Sequence, residues 1–479
     1  MKHDVVIIGS GLGGLECAYL LAKAGRKVVV LEQQAHPGGC MQSYRKKVST
    51  ASGSETFCFD TGLHYVGGLA EGQRLHKAFA ELGLTSLPWH RLDADGFDRV
   101  TIEGQTFCFA EGYDRFVGTL AEHFPRERKN LEAYAARLQS EEIDDCNAYD
   151  YLRGLFGDPL LVNVVAGTCL KTELRRDSLP MFSFAHSQGS FIESSWRLKG
   201  GGSLIVGALA EGIGRYGGEI VCHAEVEELV EKEGRIVAAR CKDDTAYEAA
   251  FFVSDIHPAT TFAMVRESRV LKKLYRRRIS QLQNSCGTFT VSLVLKPETL
   301  PYFNHNKYVY AKANVWDQPV AGKNGEPTAT DRVMISAVVP DDGKYARQID
   351  LLTPMPWSRC QPWAGTRIGH RGADYVQMKE QMASECIELA ETVIPGVSRM
   401  VEARISSTPL TWRDYTLTPY GTAFGIRKDS RQMLLTMLSP RTPIPNLLLT
   451  GQNVCLHGVE GVTSTAFNTV RELCQRFDK

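Results

Sequence analysis

The chain has 479 residues, roughly three domain equivalents, so a single small domain is excluded. Hydrophobic residues make up 43% and charged residues 23%, a balance that buries a large core and excludes disorder along the whole chain. Lys+Arg number 55 and Asp+Glu 55, so no long-range positive field favours nucleic acid as a partner.

The 13 cysteines are scattered, with no CxxC pair and no Cys/His cluster at zinc-like spacing, which predicts reduced thiols, a cytoplasmic protein and no metal site. The amino-terminal apolar run is broken by glycines and lacks the longer core of a signal peptide. No apolar stretch approaches the ~20 residues needed to cross a bilayer, so any membrane contact is expected to be peripheral.

In chain order, Asp4 to Ile8 reads as a buried strand, followed by Gly9-Ser10-Gly11-Leu12-Gly13-Gly14 and a helix over Leu15 to Ala24 closed by Gly25. A second strand, Lys27 to Leu31, ends at Glu32. This is the order of a βαβ dinucleotide-binding unit: Gly9 turns the chain, Gly11 admits a pyrophosphate, and Gly14 packs helix against strand. Leu12 and Gly13 belong to the same glycine-rich loop, ahead of the helix whose amino terminus faces the phosphates. A carboxylate at Glu32 accepts the two ribose hydroxyls and repels a 2′-phosphate, so FAD or NAD fits and NADP does not. The pair Gly38-Gly39, just past the second strand, favours FAD, because flavoproteins bring backbone close to the cofactor there.

Further along, "YDRFVGTLAEHF" and "YAARL" carry helical periodicity, and "AEVEELVEKEGRIVAARCKDD" reads as two strands joined by a turn at Glu233-Gly234, with "AFFVSD" as a third. "GTFTVSLVL" and "RVMISAVV" are strands. The basic run Arg269 to Ser280 has apolar residues at helical intervals and reads either as a solvated helix face, the favoured account, or as a rest on an anionic membrane. Near the carboxyl terminus a strand, Leu447 to Leu449, leads through Gly451 to a helix opened by Gly461 and Val462. Its N–H donors and positive dipole end suit the flavin N1/C2 carbonyl edge.

Several stretches, in order, resemble the flavin-dependent phytoene desaturase and all-trans-retinol 13,14-reductase family within the amine-oxidase-like flavoproteins. They are the glycine-rich amino terminus, "FDTGLHYVGG", "AYDYLRGLFGDPLL", "KGGGSLIVGALAEGIGRYGGEI", "VSDIHPATT" and "LTPYGTAFGIRKDSRQMLLTMLSPRTPIPNLLLTGQN", spanning nearly the whole chain. The resemblance implies an α/β fold: a Rossmann-like FAD-binding domain in three separated stretches, residues 1–70, 195–260 and 405–479. Between them lies an α+β substrate domain, mainly helical over 71–194 and sheet plus helices over 261–404. It also implies that the Val226 backbone meets the adenine and that Asp255 lies at the cofactor.

The implied chemistry is FAD-dependent oxidation, reduction or isomerisation at a carbon–carbon bond of a hydrophobic polyene or isoprenoid, with an electron donor or acceptor that the residues do not name. An amine oxidase and a non-catalytic prenyl-lipid carrier on the same fold are the alternatives. Disulfide-reductase chemistry fails, because Cys40 is followed five residues later by Arg45; Cys40 reads rather as an inert thiol than as a reactive one. His64 and Tyr65 are the candidate proton donors, each weighed against a hydrogen-bonded place in a structural loop. Lys199 is expected to solvate a turn rather than reach the flavin. Arg413, Asp414 and Tyr420 stand evenly between pocket wall and elsewhere. The tryptophans Trp316, Trp357, Trp363 and Trp412 suit either the core or an aromatic wall for a flat polyene.

Overall fold

Both faces of strand His3–Ile8 are covered, which its run of β-branched residues requires, and Val5, Val6 and Ile7 are fully buried. The computed structural model describes residues 3–50, 53–317 and 330–477. Among the described residues the strands form two seven-stranded sheets and two smaller ones.

In the first sheet, Glu219–Val221, Val28–Leu31, His3–Ile8, Ala246–Ser254 and Leu447–Leu449 run parallel side by side. The early half of Ala246–Ser254 also closes an antiparallel meander with Arg235–Cys241 and Val226–Lys232. The meander turns at Glu233 (φ 52°) and Gly234 (φ 82°), the doubly left-handed turn that suits a twisted hairpin. Three stretches far apart in sequence therefore share one sheet. Helix Leu12–Lys23 packs on it with helices Ser203–Arg215 and Gly458–Phe477 through Leu15, Ala18, Leu21, Ile205, Leu209, Ala466 and Leu473.

Two helix boundaries differ from the sequence expectation. The first helix begins at Leu12 rather than Leu15, and the last at Gly458 rather than Gly461. In both, weak helix formers occupy the first turn, where tertiary packing overrides propensity.

The second sheet runs Val401–Ser407, Gly287–Leu295, Gln348–Met355, Arg332–Ala337, Asn306–Tyr310, Asp98–Ile102, Gln105–Phe109. Its one parallel pairing, Asn306–Tyr310 with Asp98–Ile102, joins strands from two separated parts of the chain and sets Asp98 beside Asn306. Helices Tyr113–His123, Arg128–Leu138, Ala148–Leu155, Pro159–Val165 and Met181–Glu193 share its core, and Phe116 and Leu120, spaced at helical intervals, are fully buried there. Trp316 belongs to this core, while Trp357 and Trp363 pack on a second one behind the same sheet. Among the described residues no helix is long and apolar enough to cross a membrane.

Candidate functional site

At the end of strand His3–Ile8 the chain turns at Gly9, whose φ of 91° is strained for any L side chain. It then enters helix Leu12–Lys23 with Gly11 as the capping residue and no side-chain cap from its own segment. Asp255, just past strand Ala246–Ser254, supplies one from across the sheet, accepting from the backbone N–H groups of Gly14 and Gly11. A Cβ at Gly11 would lie 2.4 Å from Asp255 Oδ2, and one at Gly451 2.2 Å from its Oδ1, so the acid is walled in by glycines from both ends of the chain. Burial pushes the Asp255 pKa up to about 7, opposed by the Gly14 and Gly11 hydrogen bonds and reinforced by the charge of Glu32.

Glu32 is buried and fixed by its neighbours. Its Oε2 accepts from Ser10 N–H at 3.1 Å and from the Ser10 hydroxyl, and its Oε1 from Gln34 N–H at 2.8 Å. Gly38 N–H donates to the Ser10 carbonyl at 3.0 Å, which lays Gly39 over the loop. A Cβ at Gly39 would stand 3.2 Å from Gly11 Cα.

A cavity of about 390 Å³ extends from this loop. Gly9, Gly11, Leu12, Gly13, Glu32, Gly39, Val226, Asp255, Gly451, Gly461 and Val462 line it, as do His64 and Tyr65. Gly14 and Gly38 do not: a Cβ at Gly14 would meet the Gly9 carbonyl at 2.3 Å, and one at Gly38 the side chain of Val206 at 2.8 Å. Their places are in packing behind the groove. The cavity reaches the second sheet, where Tyr308, Met334 and Leu352 join Leu170, Phe191 and Phe424 in its wall. One space thus touches the glycine-rich loop at one side and a largely apolar wall at the other.

His64 is half-buried in this wall, and burial pushes its pKa down to about 4, Asp60 opposing and Arg197 reinforcing. The ring is neutral near pH 7, so any proton it offers is an N–H hydrogen bond rather than an imidazolium acid. The Tyr65 hydroxyl donates to Asp98 Oδ2 at 2.9 Å and lies 2.7 Å from the Tyr308 hydroxyl, and burial drives its pKa well up. Burial likewise pushes the Cys40 thiol up to about 12, as an inert cysteine requires. Lys199 points away to Asp341 at 3.1 Å. Arg413 and Asp414 pair with each other beside Arg371, and Tyr420 is exposed against Trp357, so none of the three lines the cavity. Of the four tryptophans singled out from the sequence, Trp412 alone does.

Sequence reasoning missed the polar cluster at the far wall. Lys171 Nζ lies 2.9 Å from Asp98 Oδ2, and Asn306 Nδ2 donates to Asp98 Oδ1 at 2.9 Å. Asn306 Oδ1 in turn accepts from Arg197 at 2.7 Å. The signal for Asp98 was present: Asp98, Val100 and Ile102 alternate on one strand face, and all three are buried.

Residues 7–82 match the model of an NAD(P)-binding Rossmann-like domain. The all-trans-retinol 13,14-reductase of Danio rerio is 24% identical over 97% of this chain and 84% of its own. A chloroplastic prolycopene isomerase of Daucus carota is 24% identical over 98% of this chain and 79% of its own. The chain is a homologue of these reductases and isomerases. Its fold is shared with putrescine oxidase, which superposes with a TM-score of 0.65 at 14% identity over 99% of this chain and 100% of that one. Homology to the two polyene-named groups extends through the second sheet as well as the Rossmann-like part, so it covers both walls of the cavity.

Proposed function

We propose that the protein is an FAD-dependent oxidoreductase that acts on a carbon–carbon bond of a hydrophobic polyene, as a desaturase, saturase or isomerase. The observation that carries this is the single cavity joining the Gly9–Gly13 loop and Glu32 to a wall of Phe191, Met334, Leu352 and Phe424. The residues present fit the cofactor: side-chain-free backbone lines the loop, Glu32 is turned in for the ribose, and helix Gly458–Phe477 starts in the cavity wall. Bound there, the flavin supplies hydride exchange at its N5.

The protein's own part is to hold the reacting carbon about 3 to 3.5 Å from that atom and to exclude water. The apolar wall binds the polyene by burial, worth about 25 cal/mol per Å² of apolar surface. Saturation needs a hydride at one carbon and a proton at the other; desaturation is the reverse, and isomerisation has no net redox change. Direction follows from the external partner: a quinone or oxygen draws electrons away, and a reduced nicotinamide or flavin delivers them. The test is anaerobic stopped-flow of the flavin-loaded protein with all-trans-retinol, prolycopene and related polyenes. A change in flavin absorbance, as reduction of the oxidised form or reoxidation of the reduced form, or conversion of one polyene isomer to another by the flavin-loaded protein, followed by chromatography, is expected; no polyene giving any of these ends the reading.

An amine oxidase is the second reading, favoured by the fold shared with putrescine oxidase. The cavity wall carries the carboxyl of Glu460 as well as the Lys171 side chain, so the charge of its lining does not choose between an amine and a polyene. Amine-dependent peroxide release decides between the two. Flavin released on denaturation separates either enzyme from a colourless carrier.

A further inference from the structure

We propose that Lys171 anchors the oxygen-bearing end of the substrate, so that the cavity selects an isoprenoid ending in a hydroxyl or carboxylate over a pure hydrocarbon. The proposal rests on the polyene reading above and narrows its substrate class. The Lys171 side chain is only 5% exposed, and Asp98 is its one hydrogen-bonding partner among the described residues. An ammonium carries three donors. The rest of its shell is aromatic: the rings of Phe191, Tyr65 and Phe97 have their centroids 4.1, 5.4 and 5.6 Å from Nζ.

Asp98 cannot do more for it. The same Oδ2 that meets Lys171 also accepts from the Tyr65 hydroxyl, and Oδ1 is taken by Asn306, so the carboxylate is held against the sheet by three neighbours. Lys171 lines the cavity together with Tyr308 and with Phe191 and Tyr65, the two rings nearest its Nζ. Burying the ammonium's donors under a hydrocarbon chain is unfavourable, whereas an oxygen lone pair from the ligand completes the shell. A site built this way rejects the analogue that lacks the oxygen. The acid and the alcohol both offer the ammonium an oxygen lone pair; the carboxylate adds a second acceptor oxygen and a negative charge.

The test uses the flavin-loaded protein and three ligands with one polyene chain: all-trans-retinol, all-trans-retinoic acid and the hydrocarbon without the oxygen. Binding is read by quenching of tryptophan fluorescence, with Trp412 in the cavity wall as the nearby reporter. One hydrogen bond to a charged group predicts that the oxygenated ligands bind on the order of 10- to 100-fold tighter than the hydrocarbon. The preference should collapse in Lys171→Met, and also in the double variant Lys171→Met/Asp98→Asn, which leaves no uncompensated carboxylate. Bound flavin and its spectrum report that each variant is folded. Equal affinity for all three ligands in the unmodified protein, or a preference that survives in the double variant, overturns the anchor while leaving the polyene reading intact. If none of the three binds, the polyene reading fails and the anchor falls with it.

Discussion

Glu16 Oε1 accepts a hydrogen bond of 2.7 Å from Thr463 Oγ1, tying the helix that starts at Leu12 to the one that ends at Phe477. Glu16 is fully buried, its Oε2 has no partner, and burial raises its pKa well above the ordinary 4.5, with the Thr463 bond opposing. The folded protein therefore holds a proton that the unfolded chain gives up above pH 4.5. This contribution to stability is complete below 4.5 and declines as pH rises, by about 1.4 kcal/mol per unit until the folded-state value is reached. Replacing Glu16 by Gln removes that decline. Urea unfolding of both forms between pH 5 and 8 checks it: parallel stability curves would falsify a protonated Glu16.

On the proposed function, Asp255 should make cofactor affinity depend on pH. Its carboxyl, with a pKa of about 7, sits among the glycines where a pyrophosphate is expected, so the neutral acid tolerates the phosphates and the anion repels them. Reconstitution of the apoprotein with FAD should weaken as pH rises through 7, approaching about tenfold per unit above it. Asp255→Asn should flatten the profile. Isothermal titration at pH 6, 7 and 8 measures both, and a flat profile for the unmodified protein removes Asp255 from the phosphate site.

Gly11→Ala should lose the cofactor without unfolding the chain. The added methyl lands 2.4 Å from Asp255 Oδ2, in the loop where the pyrophosphate is expected, so the loop or the acid must shift. Overpacking of this kind costs about 1–3 kcal/mol, or on the order of 5- to 150-fold in affinity. Flavin content on purification, with circular dichroism for the fold, gives the readout; full flavin occupancy contradicts the placement.

The basic run Arg269 to Ser280 is expected to be a solvated helix face rather than a rest on an anionic membrane. Helix Lys273–Ser280 holds Leu274 77% exposed beside Lys273 and Arg277. Sedimentation with phosphatidylserine vesicles at low salt should therefore be the same for Arg277→Glu, Leu274→Glu and the unmodified protein. A fall on the order of thirtyfold for Arg277→Glu, about 1 kcal/mol for each of the two charge units changed, would place the run on a membrane instead.

The glycine-rich loop was legible because its requirements are local. A strand, a turn at Gly9, a helix and a second strand ending at Glu32 follow one another within the first forty residues, and each imposes a residue type that the sequence displays. The carboxyl-terminal contribution was legible for a similar reason, since Gly451 and the helix behind it are paired with an obvious short apolar strand. The Lys171 cluster was hidden because Tyr65, Asp98, Lys171 and Tyr308 come from four stretches: the parallel pairing of Asn306–Tyr310 with Asp98–Ile102 joins two of them, and the other two meet these only through the packing of loops on that sheet. Sequence periodicity reports which face of a strand is buried, and says nothing about which strand lies alongside.

Strand Leu447–Leu449 enters the first sheet last, beside Ala246–Ser254, and the loop after it places Gly451 against Asp255. During synthesis the amino-terminal glycines leave the ribosome long before their opposite wall exists. Until residues 447–462 emerge, strand Ala246–Ser254 lacks its neighbour and the groove its opposite wall, so a complete dinucleotide groove requires synthesis of that last stretch.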